Sequence, residues 1–342
     1  MNGSSPAAPP PGASPVPPKR LALPGMVKPF PCGQGYRRWV VADVGHHQLT
    51  LVAEDGREIA RFGAGVSGFT EGSGEEARFH APRGLIAACD AIYVADTLNH
   101  AIRRIDLVED RVETLAGTGQ PGGPLRGESA GRTTALAAPW DLALRGDQLI
   151  FANAGTHQLG VLELLSGVVR PLAGSGEAGR VDGPARVARL SRPGGLAWDE
   201  ATGRLYFVDR GSGSARCLDG ASGDLRVESL TGEGAFRHPQ GAALAGGRLW
   251  VADGGGHRLV WIDLDRRRVG GGVEVGAGAA EWWGEIVGMG EGWTSLDPEP
   301  LSLLEPVGVC ADGEGGLIVS DARRHRLVRL DPGNRRMKTL FV

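Results

Sequence analysis

Apolar and polar positions along the chain follow one recurring order: a short apolar run, an Asp or Asn, three residues, a His, and an alternating stretch. The first copies read Trp39-Val-Val-Ala-Asp43-Val-Gly-His-His47, Ile92-Tyr-Val-Ala-Asp96-Thr-Leu-Asn-His100 and Leu149-Ile-Phe-Ala-Asn153-Ala-Gly-Thr-His157. They continue with Leu205-Tyr-Phe-Val-Asp209-Arg-Gly-Ser-Gly213, Leu249-Trp-Val-Ala-Asp253-Gly-Gly-Gly-His257 and Leu317-Ile-Val-Ser-Asp321-Ala-Arg-Arg-His325. From Asp43 to Asp321 the copies recur about every 56 residues, a period that belongs to repeat architectures. Ahead of most copies, in the same phase, stands Pro-x-Gly: Pro82-Arg83-Gly84, Pro193-Gly-Gly195, Pro239-Gln240-Gly241 and Pro306-Val-Gly308. The third copy is altered to Pro139-Trp140-Asp141, and the first is degenerate around Leu23-Pro24-Gly25.

Each unit predicts four short strands separated by turn residues. The second strands are nearly continuous apolar sequence, the pattern of strands covered on both faces. The third and fourth, such as 101–106 and 112–117, carry more Arg, Glu and Thr, so exposure is expected to rise outward. Four strands per unit at this period point to a radial array. The expectation is an all-β, six-bladed β-propeller of four-stranded blades over residues 21–342. Residues 1–20 are rich in Pro and Ala and hold no apolar run. They read as a disordered tail rather than a secretory signal or anchor. No later stretch reaches 18 consecutive apolar residues, so a soluble protein is expected, with the cytoplasm as default location.

Pro82-Arg-Gly-Leu, Val94-Ala-Asp96, Asn99-His100-Ala-Ile-Arg-Arg-Ile-Asp106 and Val112-Glu-Thr-Leu-Ala-Gly-Thr-Gly119 together form a nearly full motif. With it the chain resembles the NHL-repeat β-propeller family. Gly45-His-His47, Pro139-Trp-Asp141 and Ala154-Gly-Thr-His157-Gln make it similar to the propeller of thioredoxin-like NHL-repeat proteins. The resemblance implies a propeller over about residues 24–342. No thioredoxin domain or its Cys pair is recognised in the sequence, so the redox role suggested by that group is not expected here.

Composition adds three constraints. Lys+Arg 37 against Asp+Glu 40 gives a formal charge of −3, which disfavours nucleic acid and anionic membranes as partners. Only Lys19, Lys28 and Lys338 are lysines; the arginine excess reads as codon bias in a GC-rich, bacterial-type genome. Cys32, Cys89, Cys217 and Cys310 show no C-x-x-C pair, so neither a disulfide framework nor a zinc ribbon is implied. Cys89 and Cys310 read as small core residues.

Repetition in every blade assigns Asp43, His47, Asp96, His100, Asn153, His157, Asp209, Asp253, His257, Asp321 and His325 to architecture. Rotation about the propeller axis keeps these histidines too far apart for one metal ion, whose bonds to nitrogen span about 2.0–2.1 Å. Each Asp is expected to accept N–H groups of the turn after the second strand, with the His closing that turn from the other side. In Pro-x-Gly, Pro sets the approach to the innermost strand and Gly permits close backbone contact. No metal, cofactor or catalytic residue is expected.

Function is expected where the repeats depart from their consensus. Arg83, Trp140, Asp141 and Gln240 occupy the start of the innermost strands and should ring the channel mouth. Arg192 and His238 stand beside them in sequence. Connections between blades share this face with the second-to-third-strand turns. The segment 276–305 reads as the longest of them, and it carries Trp282, Trp283 and Trp293 among acidic residues. Those rings either form a contact surface or fold back over the channel. Two functions are weighed: a non-catalytic scaffold recognising a protein or peptide across this face, and a lyase or lactonase-like enzyme with a metal-assisted site at the mouth. A small polar ligand at the mouth fits either.

Overall fold

The computed structural model describes residues 20–31, 37–220, 223–265 and 302–341, with the backbone alone of 283–287 and 294–295. Six separate sheets follow one another along the chain, each led by an innermost strand that opens on its repeat. Blade one comprises Pro24–Pro29, Arg38–Asp43, Gln48–Ala53 and Glu58–Phe62. Blade two comprises Gly84–Ala87, Ala91–Asp96, Ala101–Asp106 and Arg111–Ala116. Blade three comprises Pro139–Arg145, Gln148–Asn153, Gln158–Glu163 and Val168–Ala173. Blade four comprises Pro193–Asp199, Arg204–Asp209, Ser214–Asp219 and Arg226–Ser229. Blade five comprises Pro239–Ala245, Arg248–Asp253, Arg258–Asp263 and Trp283–Val287. Blade six comprises Pro306–Ala311, Leu317–Asp321, Arg326–Asp331 and Arg336–Phe341. The protein is a six-bladed β-propeller.

The core lies between blades. Six apolar clusters match six blade-to-blade interfaces, as expected when each blade has two faces and no core of its own. Val27, Trp39 and Val41 of blade one pack with Cys310, Ile318 and Phe341 of blade six. The ring therefore closes by packing, with blade six built wholly from C-terminal strands. Near the rim the same junction is tied by Arg37 to Glu314 and by Arg329 to Glu54 at 3.5 Å.

A β-bulge follows the leading proline of five innermost strands, between Pro24 and Val27, Pro139 and Leu142, Pro193 and Leu196, Pro239 and Ala242, and Pro306 and Val309. Close approach is real here. A Cβ on Gly84 would stand 2.4 Å from Asp141 Cα of the next blade, and one on Gly308 would stand 2.6 Å from the Gly25 carbonyl. The axis is thus lined by backbone, and side chains reach it only where a copy departs from glycine.

Three findings differ from the sequence reading. Trp283–Val287 is the outer strand of blade five, so 276–305 is not one connection. Ser129–Ala130, Gly183–Pro184 and Thr294–Ser295 add a short fifth strand to blades three, four and six, the last of these parallel. Connections therefore run over the next blade's outer strand before turning inward, which covers an otherwise open sheet edge. Finally, Cys89 is not a core residue. It sits exposed in the turn after Gly84–Ala87 and is disulfide-bonded, whereas Cys217 and Cys310 are free and buried.

Candidate binding site at the channel mouth

The repeated residues build the frame of the site. Asp96 Oδ1 accepts the His80 N–H at 2.7 Å, Asn153 accepts that of Ala137 at 2.8 Å, and Asp209 accepts that of Ser191 at 2.6 Å. Asp43, Asp253 and Asp321 do the same for Ala22, His238 and Leu304. These donors lie just ahead of each innermost strand. These bonds hold the incoming connection, while the second side-chain polar atom of Asp43, Asp96 and Asn153 meets a turn side chain, that of His46, Asn99 and Thr156 respectively.

The histidines act between blades. His47 Nδ1 accepts the Ala81 N–H at 3.1 Å, His100 that of Ala138 at 3.0 Å, His157 that of Arg192 at 3.1 Å, and His325 that of Leu23 at 3.1 Å. Each His therefore ties its turn to the residue preceding the next blade's proline, and His325 does so across the ring closure. Leu23, Ala81, Ala138 and Arg192 have φ of 48–54°, a left-handed conformation that is costly for non-glycine residues and is pinned by this bond. His257 contacts the Leu304 carbonyl instead. In blade four Gly213, also left-handed, offers its carbonyl to Phe236 N–H at 2.9 Å.

Arginines of the third strands complete the frame and were misjudged as exposed. Arg103, Arg216 and Arg326 are fully buried. Arg103 donates to Asp96 Oδ2 at 3.2 Å and to the carbonyls of Thr70 and Arg78, and so clamps the connection 63–83 onto its own blade. Arg216 does likewise with Asp209 and the carbonyls of Val181 and Arg189. Burial pushes Asp96 up to about 6, with the Asn99 amide, the His80 N–H and Arg103 opposing.

Within this frame the departures meet. The Arg83 guanidinium lies over the Trp140 ring at 4.5 Å, and Arg210 lies over the same ring at 3.5 Å. Arg210 follows Asp209 in the turn of blade four and crosses Gly194, where a Cβ would stand 2.3 Å from Arg210 Cδ. Burial, then the charges of Arg83 and Arg192, pushes Arg210 down to about 9. Burial also lowers Arg83, with Glu305 opposing. Glu305 itself is engaged by Arg323 at 2.8 Å. Gln240 Nε2 donates to His238 Nδ1 at 2.8 Å, and burial followed by the Arg210 charge lowers His238. Among the described residues, Arg210 Nε, Trp140 Nε1 and Gln240 Oε1 are buried without a hydrogen-bond partner.

Asp141 lies below this group rather than on the rim. It is fully buried, and Oδ2 meets Lys28 Nζ of blade one at 3.3 Å and the Leu196 N–H of blade four at 2.9 Å. This ion pair bridges the interior of the channel beneath the mouth. Arg83, Trp140, Arg192, His238 and Gln240 lie near one another around Arg210. Arg210 was missed, although it is the one charged residue directly after the repeated Asp or Asn in any copy. Trp282 and Trp293 lie outside the described residues, and Trp283 contributes only its place in the outer strand of blade five.

A model of the NHL repeat matches residues 236–262, the innermost three strands of blade five with their lead-in. NHL repeat-containing protein 2 of Gallus gallus is 30% identical over 360 aligned residues, covering 92% of this chain. The chain is a six-bladed β-propeller that carries an NHL repeat. It spans about half the length of that relative, 47%. Among solved structures, one titled as a nidogen/laminin complex superposes with a TM-score of 0.58 at 15% identity, covering 90% of this chain and 98% of the other. A streptogramin B lyase superposes with a TM-score of 0.55 at 11% identity, covering 95% of this chain and 85% of the other. At such identities these two show a shared fold and nothing of its use.

Proposed function

We propose that this propeller is a non-catalytic interaction module that receives a protein or peptide partner on the face carrying the channel mouth. The observation that carries the reading is the convergence of Arg83, Trp140 and Arg210 from three blades on one spot where the repeat consensus supplies none of them. Arg and Trp are the residue types that most often dominate binding energy at interfaces. The Lys28–Asp141 pair links blades one and three below the mouth, which favours a partner that docks on the rim over a substrate drawn inside. The lyase or lactonase-like alternative rests on the fold alone. Among the described residues no group of three His, Cys, Asp or Glu side chains is placed to hold a metal ion.

Capture from a cell extract with the intact propeller, compared with a Trp140→Ala variant of unchanged circular dichroism, tests the reading. Partners should be retained by the wild type and lost by the variant. Equal retention by both would remove the mouth from the interface. No helix among the described residues is long and apolar enough to cross a membrane. The disulfide at Cys89 supports an oxidising compartment over the cytoplasm expected by default.

A further inference from the structure

Three arginines crowd the mouth with little to neutralise them. Arg83, Arg192 and Arg210 form no ion pair among the described residues, and the one nearby carboxylate that acts on Arg83, Glu305, is already bound by Arg323. Like charges held at this range repel, and the charges of Arg83 and Arg192 add to the burial that chiefly lowers Arg210. Stacking on Trp140 offsets some of that repulsion. It leaves the hydrogen-bonding edges of both guanidiniums unused. A planar donor fork with no acceptor, beside an aromatic face, is a receptor for a carboxylate attached to an apolar stem.

We infer that the mouth is a carboxylate-binding site, in which Arg83, Arg192 and Arg210 hold an acidic side chain of a partner peptide while Trp140 packs against its methylene groups. The inference deepens the interaction reading and rests on it for the source of the carboxylate. The cationic mouth attracts an approaching anion, so the partner should be an acidic segment despite the net charge of −3. His238 stands beside this group, with its Nδ1 held by Gln240 Nε2 at 2.8 Å.

The alternative is that the two guanidiniums and Trp140 form a structural clamp, and stability separates the two cases. A clamp loses stability when Arg210 is removed, whereas a receptor carrying like-charge repulsion keeps or gains it. The experiment measures melting temperature and titration calorimetry for wild type, Arg210→Gln and Arg83→Gln. The probes are a capped tetraglutamate peptide, glutarate and inorganic phosphate at low ionic strength. Expected is peptide binding that weakens about tenfold or more in each variant, equivalent to about 1.4 kcal/mol, with melting temperatures equal to or above wild type. Glutarate bound as tightly as the peptide, and lost in the variants, would uphold the carboxylate site while refuting a protein partner. Phosphate bound more tightly than either carboxylate would overturn the ligand class. Binding untouched by both substitutions, no binding of any probe, or a clear fall in melting temperature in both variants would overturn the site.

Discussion

Removing Arg103 tests the buried frame most severely. Its side chain has no exposed surface, and its guanidinium reaches Asp96 Oδ2 at 3.2 Å, the Thr70 carbonyl at 2.7 Å and the Arg78 carbonyl at 3.3 Å. Arg103→Met keeps most of the stem volume but strands a buried carboxylate and two carbonyls. Breaking a buried pair from one side costs about 3–5 kcal/mol, against almost nothing for an exposed one. The sign of its pH dependence follows from Asp96. Burial raises its folded value to about 6, above the ordinary 3.8, and losing Arg103 raises it further. A carboxyl raised on folding stabilises fully below its unfolded value, and that contribution fades as pH rises through the folded value. The deficit of Arg103→Met relative to wild type should therefore be largest at pH 7.5 and smaller at pH 5.5. Blade three shows how the frame survives without charge. There Asn153 accepts the Ala137 N–H and donates to Thr156 Oγ1 at 2.7 Å, and Gly160 stands where blade two has Arg103. Adding Asp96→Asn and Asn99→Thr to Arg103→Met copies that polar set and should recover at least about 1 kcal/mol. Guanidinium unfolding followed by tryptophan fluorescence and circular dichroism measures all three proteins. A cost below about 1 kcal/mol for Arg103→Met, or a triple variant less stable than the single, would refute the reasoning.

His100→Ala should lower stability by about 1 kcal/mol in the same assay, because the Ala138 N–H loses its acceptor. No measurable loss would mean that the inter-blade bond is incidental. Gly194→Ala should displace Arg210 from Trp140 with a modest change in stability, since the Cβ overlaps the flexible Arg210 side chain and meets Val208 Cγ2 at 3.2 Å. A shift in tryptophan emission reads the displacement, and an unchanged spectrum with unchanged tetraglutamate binding would count against the placement of Arg210. In unreduced, denatured protein a thiol reagent should label Cys217 and Cys310 but not Cys89, as mapped by mass spectrometry. Labelling at Cys89 would remove the disulfide and with it the argument for an oxidising compartment.

The architecture was legible because its cause is periodic. Each apolar run before an Asp or Asn became a second strand, and the innermost strands of blades three to six open at the proline itself, whereas that of blade two opens at Gly84. Buried arginine was not legible, because an Arg at the third position of Ala101–Asp106 looks like one on an exposed edge. What distinguishes it is the long connection 63–83 folding over that strand, and connection paths leave no period in sequence. For the same reason Asp96 and His100 were placed in architecture correctly while their partners were wrong: the donors lie in the preceding and following connections. Asp141 looked like its neighbours in the repeat but packs inward, since Lys28, on another blade, supplies the counter-charge. The mouth was half legible. Arg83, Trp140 and Gln240 stand at one repeat position, whereas Arg210 arrives from a different one.

Arg210 shows how a repeat scaffold makes a site without disturbing its own support. In blade four the residue after the repeated Asp is Arg, where the other copies have Val44, Thr97, Ala154, Gly254 and Ala322. The same blade replaces the repeated His by Gly213 and offers Gly194 at the head of its innermost strand. Each change has a local consequence. Gly194 clears the path for Arg210 to reach Trp140, and Gly213 relieves a left-handed position that every other blade fills with His. Asp209 meanwhile keeps its bonds to Ser191 and Arg216, so the blade retains its clamp while the turn above it is redirected toward the axis. A turn altered only to preserve the fold would have no reason to carry a cation into a cluster of two others. The arrangement makes sense when the excess charge is met by a group that arrives from outside.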